Sequence, residues 1–256
     1  MLADEYEALL FDLDGVVFVG DEPVRGAVET LRRLRDAGKE IQFVTNNSQH
    51  TRREFAEKLA AFGIDARPVE ITSAASATAE YLADRGVESV YLVGMDGLRA
   101  ELRQRGIADR ERDADAVVVG FDPTVTYDDI ATATSLVYDR DLPLVATSGD
   151  TSYPSGDGVA PGTGAILRAI EAASDTEATV VGKPNAPLFD RALGRISTRP
   201  VAMVGDTPSA DVAGANRAGI DSILVSLHCR AGHDVDPSPD VRIETPLDLV
   251  DPDPRR

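Results

Sequence analysis

The chain has 256 residues, 44 acidic and 26 basic, for a formal charge of −18. Such a field repels nucleic acid and anionic lipid, so neither is an expected partner. Its single cysteine, Cys229, excludes an internal disulfide, and no apolar run approaches membrane-spanning length.

Only three basic residues are lysines (Lys39, Lys58 and Lys183), and Asp outnumbers Glu 29 to 15. An Asp-rich, Lys-poor surface resembles that of salt-accumulating halophiles. GC-rich codon usage would account for the arginines but not for the net charge. The N-terminus enters its first strand without a basic segment and a long apolar stretch, so a cytoplasmic location is expected.

Ala8–Phe11 predicts a strand buried on both faces, which runs into Asp12, Asp14 and Gly15. Val28, Leu31 and Leu34 mark one face of a helix that Gly38 can end, with the arginines of LeuArgArgLeuArg (31–35) on a solvated face. Residues 40–45 predict the next strand. His50 reads as a helix-entry residue, and Thr51 with Glu54 forms a capping-box pattern. The helix it opens carries Phe55, Leu59 and Phe62 on one side. Further strands are predicted over 90–93, 116–120, 143–147, 201–205 and 222–225, each followed by a helix or loop, and 241–244 as an edge strand. Gly162-Thr163-Gly164 lacks the third glycine of a dinucleotide fingerprint and reads as a turn into a helix. This alternation predicts an α/β fold built on parallel sheet.

In open parallel sheets, chemistry sits beyond the carboxyl ends of strands. Four polar stations follow apolar runs: Asp12-Leu13-Asp14-Gly15, Thr45-Asn46-Asn47-Ser48, Gly182-Lys183-Pro184, and Gly205-Asp206-Thr207 with Asp211 five residues after Asp206. Their chemistry is complementary. Asp12, Asp14 and Asp206 suit a hard cation such as Mg²⁺, which takes few carboxylates and keeps room for phosphate oxygens. Lys183 offers a point charge to a phosphate, and Thr45 with neighbouring N–H groups offers hydrogen bonds. Gly15 and Gly205 permit close approach. Singly, each station also reads as a turn, a loop or a helix N-terminus; their joint order points to a site.

AspLeuAspGlyVal, ThrAsnAsnSer, GlyLysPro and GlyAspThrProSerAlaAspVal, in that order, resemble the four motifs of the haloacid-dehalogenase-like hydrolase superfamily. The long insertion between the second and third motifs is similar to that of the nitrophenylphosphatase-like branch, and the likeness runs from about Leu9 to Val225. The resemblance implies a Rossmann-like parallel-sheet core, residues 1–75 and 180–256, with a second α/β cap domain inserted at 76–179. It implies Asp12 as nucleophile and Asp14 as general acid/base. Thr45 and Asn46 would hold the phosphoryl group with Lys183, with Gly15 and Asn47 as further substrate-binding residues, and Asp12, Asp14 (through its backbone carbonyl) and Asp206 would form the Mg²⁺ site, which Asp211 supports. Dehalogenase members lack the second aspartate of the first motif, which favours phosphoryl transfer here. Two departures stand out: Ala210 where the branch often has Thr, and Ser148 of AlaThrSerGlyAsp (146–150) where Asn is usual.

The expected activity is Mg²⁺-dependent hydrolysis of a small phosphate ester, of sugar-phosphate, nucleotide or phosphoglycolate type, through an aspartyl-phosphate. Asp150, Ser152 and Tyr153 in the cap loop are candidate substrate contacts, Asp150 foremost. The cap is also a candidate surface for a homo-oligomer. The rival readings are a phosphomutase, a receiver-like phosphate-sensing module, for which the interval from Asp12 to Lys183 is too long, and an inactive ligand-binding relative. His228, Cys229 and His233 offer transition-metal donors without a second cluster to complete a site.

Overall fold

The computed structural model describes residues 1–111, 113–155, 158–227 and 236–251. The His228, Cys229 and His233 group therefore lies outside the described residues. The chain forms two compact units. One comprises Met1–Thr45, Arg52–Thr72 and Lys183–Arg256; the other comprises Asn46–Thr51 and Ser73–Gly182.

The first unit is built on a six-stranded sheet in the order Val241–Ile243, Asp221–Val225, Val201–Gly205, Ala8–Asp12, Glu40–Thr45, Ile71–Ser73. Ala8–Asp12 is central. It pairs in parallel with Val201–Gly205 on one side and Glu40–Thr45 on the other, so Asp12 lies level with Val44. All five of its residues are buried, as a strand with both faces covered requires. The helix Ala27–Asp36 buries Ala27, Thr30, Leu31 and Leu34 and turns Glu29, Arg32, Arg33 and Asp36 outward as ion pairs. Gly38, at φ +73°, follows its end. Arg35 departs from the solvated reading: its guanidinium is partly covered and pairs with Glu70 at 3.0 Å. The helix Arg52–Ala61 buries Phe55, Ala56 and Leu59. Val241–Ile243 forms the expected edge strand.

The second unit holds a five-stranded sheet in the order Thr179–Val180, Leu144–Ala146, Ala116–Val119, Ser89–Val93, Ala108–Asp109, with parallel pairing throughout. Its core gathers Val117, Val119, Leu144 and Ala146 with Ala133 and Val137 of the helix Tyr127–Arg140. Leu167 and Ile170 of the helix Thr163–Ser174 complete it. Gly162 is the N-cap of the latter helix, in keeping with the turn read at 162–164. Among the described residues no helix is long and apolar enough to cross a membrane.

Candidate active site

The central strand ends on Asp12, 6% exposed, and the neighbouring strand ends on Gly205, immediately before Asp206. The short helical turn Pro208–Val212 then carries Asp211 back towards the sheet. The Asp211 N–H donates to the Thr207 carbonyl at 2.7 Å, and the Thr207 N–H donates to Asp211 Oδ2 at 3.0 Å. One carboxylate oxygen from each of Asp12, Asp206 and Asp211 lies within 4.8 Å of the other two. Lys183, 3% exposed, sets its Nζ 2.8 Å from Asp12 Oδ1 and 2.7 Å from Asp211 Oδ1, with the Val44 carbonyl at 3.5 Å.

Lys183 does not follow a strand of this sheet. The strand before it, Thr179–Val180, pairs with Leu144–Ala146 in the other unit, so Lys183 is the first residue of the returning chain. The third station is thus positioned by a chain crossing rather than by a core strand end.

Tight glycine packing closes the site. Gly15 sits at φ +87°, and a Cβ there would lie 2.1 Å from Asp206 Oδ2; one on Gly205 would lie 2.2 Å from Asp211 Cγ. Any side chain at either position would displace a carboxylate of the cluster. Asp206 Oδ1 accepts the Thr207 hydroxyl at 3.0 Å. Thr207 therefore holds two aspartates, a role not read from the sequence. The signal was present as Thr-Pro with Asp four residues on, a helix-entry pattern.

Asp14 stands apart from the carboxylate cluster, exposed on the loop beyond Asp12 and bridged to Phe18. Thr45 is buried at the end of the strand next to Asp12. Asn46, Asn47 and Asp150 belong to the second unit. There Asn46 Nδ2 donates to Asp150 Oδ2 at 3.0 Å, and the Ser148 hydroxyl donates to the same oxygen at 2.6 Å. Asn47 Oδ1 accepts the Gln49 N–H at 2.9 Å, an Asx turn that shapes its own loop. Ser48, not singled out by the sequence, takes the Thr147 hydroxyl and the Phe121 N–H, each at 3.3 Å.

The electrostatics follow from three buried or half-buried carboxylates facing one ammonium. Burial pushes the Asp12 carboxyl well above the usual range; Lys183 pulls against this, and Asp211 and Asp206 add to it. Asp206 is pushed up to about 6, by burial first and by Asp211 second. Burial disfavours the charge on Lys183, yet Asp12 and Asp211 outweigh it and hold its pKa above the ordinary lysine value. This surplus of negative charge on hard oxygen donors fits a divalent cation of the Mg²⁺ or Ca²⁺ kind.

A stability consequence follows. A carboxyl that binds its proton more tightly when folded stabilises the fold only while protonated. For Asp206 that contribution is whole below the unfolded value of 3.8 and gone above about 6. The metal-free protein should therefore lose about 2 kcal/mol of stability between pH 4 and pH 7 from this group. Added Mg²⁺ should restore it, most strongly at the upper end. Thermal melts with and without Mg²⁺ across this range check both signs, and an ion effect that weakens as pH rises would contradict them.

The chain is similar to known proteins over most of its length. A family model described as haloacid dehalogenase-like hydrolase matches residues 9–108, and one described as HAD-hydrolase-like matches 180–240. The 5′-nucleotidase YutF of Bacillus subtilis is 32% identical over 223 residues, 86% of this chain and 87% of that protein. The p-nitrophenyl phosphatase from Archaeoglobus fulgidus superposes with a TM-score of 0.90 at 31% identity, covering 96% of this chain and 98% of that one. The glycerol phosphate phosphatase from Mycobacterium tuberculosis, in complex with calcium, gives 0.82 at 33% identity, over 90% and 69% of the two chains. With the four motifs, the parallel core and the inserted second sheet in place, the chain belongs to the haloacid dehalogenase-like hydrolases, in their nitrophenylphosphatase-like branch of phosphoric monoester hydrolases.

Proposed function

We propose that this phosphatase hydrolyses small phosphorylated metabolites, of the sugar-phosphate, nucleotide or phosphoglycolate type, by forming and then hydrolysing an aspartyl-phosphate on Asp12, with Mg²⁺ as its ion. The observation that carries the reading is Lys183 Nζ, buried between Asp12 and Asp211 beside Asp206 at the carboxyl ends of parallel strands.

Asp12 Oδ1 accepts both Lys183 and the Leu13 N–H, the latter at 2.8 Å, which fixes the carboxylate plane. With Oδ1 so engaged, Oδ2 is the oxygen that attacks phosphorus, expelling the leaving alkoxide. Asp14 gives that alkoxide its proton, then takes one from the water that attacks the phosphoryl-Asp12, freeing phosphate and regenerating both carboxyl groups. Lys183 holds charge against Asp12 and the phosphoryl oxygens, and the Thr45 hydroxyl bonds one of them. Asp12, Asp206 and the Asp14 carbonyl would hold Mg²⁺, with Asp211 supporting; bound there, the ion neutralises charge that builds on the phosphoryl group. Asn46 is a further proposed contact to the phosphoryl group, and Gly15, Asn47 and Asp150 are proposed substrate contacts. The bond between Asn46 and Asp150 supports their acting together.

Chelation tests the ion's part. EDTA should abolish phosphate release, and excess Mg²⁺ should restore it fully; undiminished turnover after exhaustive chelation would contradict the assignment. The charge of −18 and the three lysines support a salt-rich cytoplasm as the setting, which the same assay at molar and at low KCl examines. Higher activity at low salt would contradict that setting.

A further inference from the structure

Asp14 lies on a loop closed by backbone hydrogen bonds to Val17 and Phe18, and the Val17 N–H donates to the Leu13 carbonyl at 2.9 Å. The Phe18 N–H donates to the Leu13 carbonyl at 3.1 Å, and the Phe18 carbonyl accepts the Gly15 N–H at 2.8 Å. Both residues flanking Asp14 are therefore tied to Phe18. Phe18 opens a small hairpin, Phe18–Val19 against Glu22–Pro23, with Asp21 on its turn.

The helix Arg52–Ala61 holds that hairpin at two points. Lys58 Nζ sits 4.4 Å from the centre of the Phe18 ring and 3.3 Å from Asp21 Oδ1. Just past the helix, Phe62 packs on the same ring at 6.0 Å between centroids. A compact ammonium can face a ring and a carboxylate at once, where a planar guanidinium would be expected to stack. This chain draws only three of its 26 basic residues from lysine, so the choice at position 58 stands out.

We propose that Lys58 is a positioning residue for proton transfer: its contacts with Phe18 and Asp21 fix the hairpin, and through the Phe18 backbone the loop that aims Asp14. This rests on Asp14 being the proton donor, and it adds a residue that touches neither substrate nor metal. The Asp21 pair is exposed and contributes little; the contact with the buried Phe18 carries the effect.

Leaving-group dependence provides the test, because p-nitrophenolate departs without a proton and a sugar alkoxide does not. Both esters would be compared by kcat/KM, which reports the steps up to leaving-group departure. In Lys58→Met the alkyl ester should lose about three- to tenfold, the size of one cation–π contact. p-Nitrophenyl phosphate should change by less than about twofold, within the effect of an ordinary surface substitution. Lys58→Arg should recover part of the loss. Asp14→Asn serves as the reference and should show the same selectivity far more strongly. Selectivity in Asp14→Asn with none in Lys58→Met, or equal losses on both esters in Lys58→Met, would overturn the role of Lys58. Absence of selectivity in Asp14→Asn would overturn the reading of Asp14, and this inference with it.

Discussion

Asp12→Asn should give a folded protein that releases no measurable phosphate. The amide keeps the shape of the carboxylate, and its oxygen can still accept the Leu13 N–H that Asp12 Oδ1 takes at 2.8 Å. What it lacks is the anionic oxygen needed to attack phosphorus. Loss of a group that bonds covalently to substrate is expected to cost about 10⁴-fold or more in turnover. Stability should not follow activity. Removing one of three crowded carboxylates relieves repulsion, while Lys183 keeps Asp211 at 2.7 Å. Phosphate release with p-nitrophenyl phosphate and a sugar phosphate, beside a thermal melt, separates the two effects. Turnover near wild type in the purified variant would reject the assignment.

Lys183→Met should damage both stability and activity. Its side chain is 3% exposed and faces Asp12 and Asp211, themselves 6% and 1% exposed. Breaking a buried ion pair from one side leaves an uncompensated charge and typically costs about 3–5 kcal/mol. In the metal-free protein the melting temperature should therefore fall by about 6–20 °C. Acidification towards pH 5 should recover part of that loss, because protonation removes the orphaned negative charge. Turnover should fall by about 10²–10³, the usual cost of losing one charge-stabilising group. A melting temperature within a degree of wild type in EDTA would show that the ammonium does not balance the aspartates.

Much of this was legible in the sequence because local rules and function coincide at strand ends. An apolar run with no alternation gave the central strand, and the acids at its end had to be compensated there. Gly38 and the three-residue spacing of Val28, Leu31 and Leu34 marked a helix and its stop. Other features depend on partners far away in the chain, which hydrophobic periodicity does not encode. Arg35 sits beside two exposed arginines and reads like them, yet Glu70 draws it into partial burial. Residues 46–48 read as part of a polar station on the core sheet, but Ser48 bonds to Thr147 and Phe121 and residues 46–51 belong with the second unit. The apolar run before Lys183 could be read, but not its partner: Thr179–Val180 pairs with Leu144–Ala146. Asp14 is a related case. Its position could be read, but the Phe18 clamp that holds it depends on a helix some forty residues later.

Formation of the covalent bond between Asp12 and phosphorus is the central step of the proposed reaction. Asp14→Asn, in which the second step lacks its base, is mixed with a slight deficit of p-nitrophenyl phosphate, quenched in acid after one turnover, and digested for mass analysis. The expected result is a phosphoryl group on the peptide containing Asp12, converted to homoserine at position 12 by borohydride. Stoichiometric nitrophenolate release with no phosphoryl group on the protein, or with one on a different residue, would contradict it.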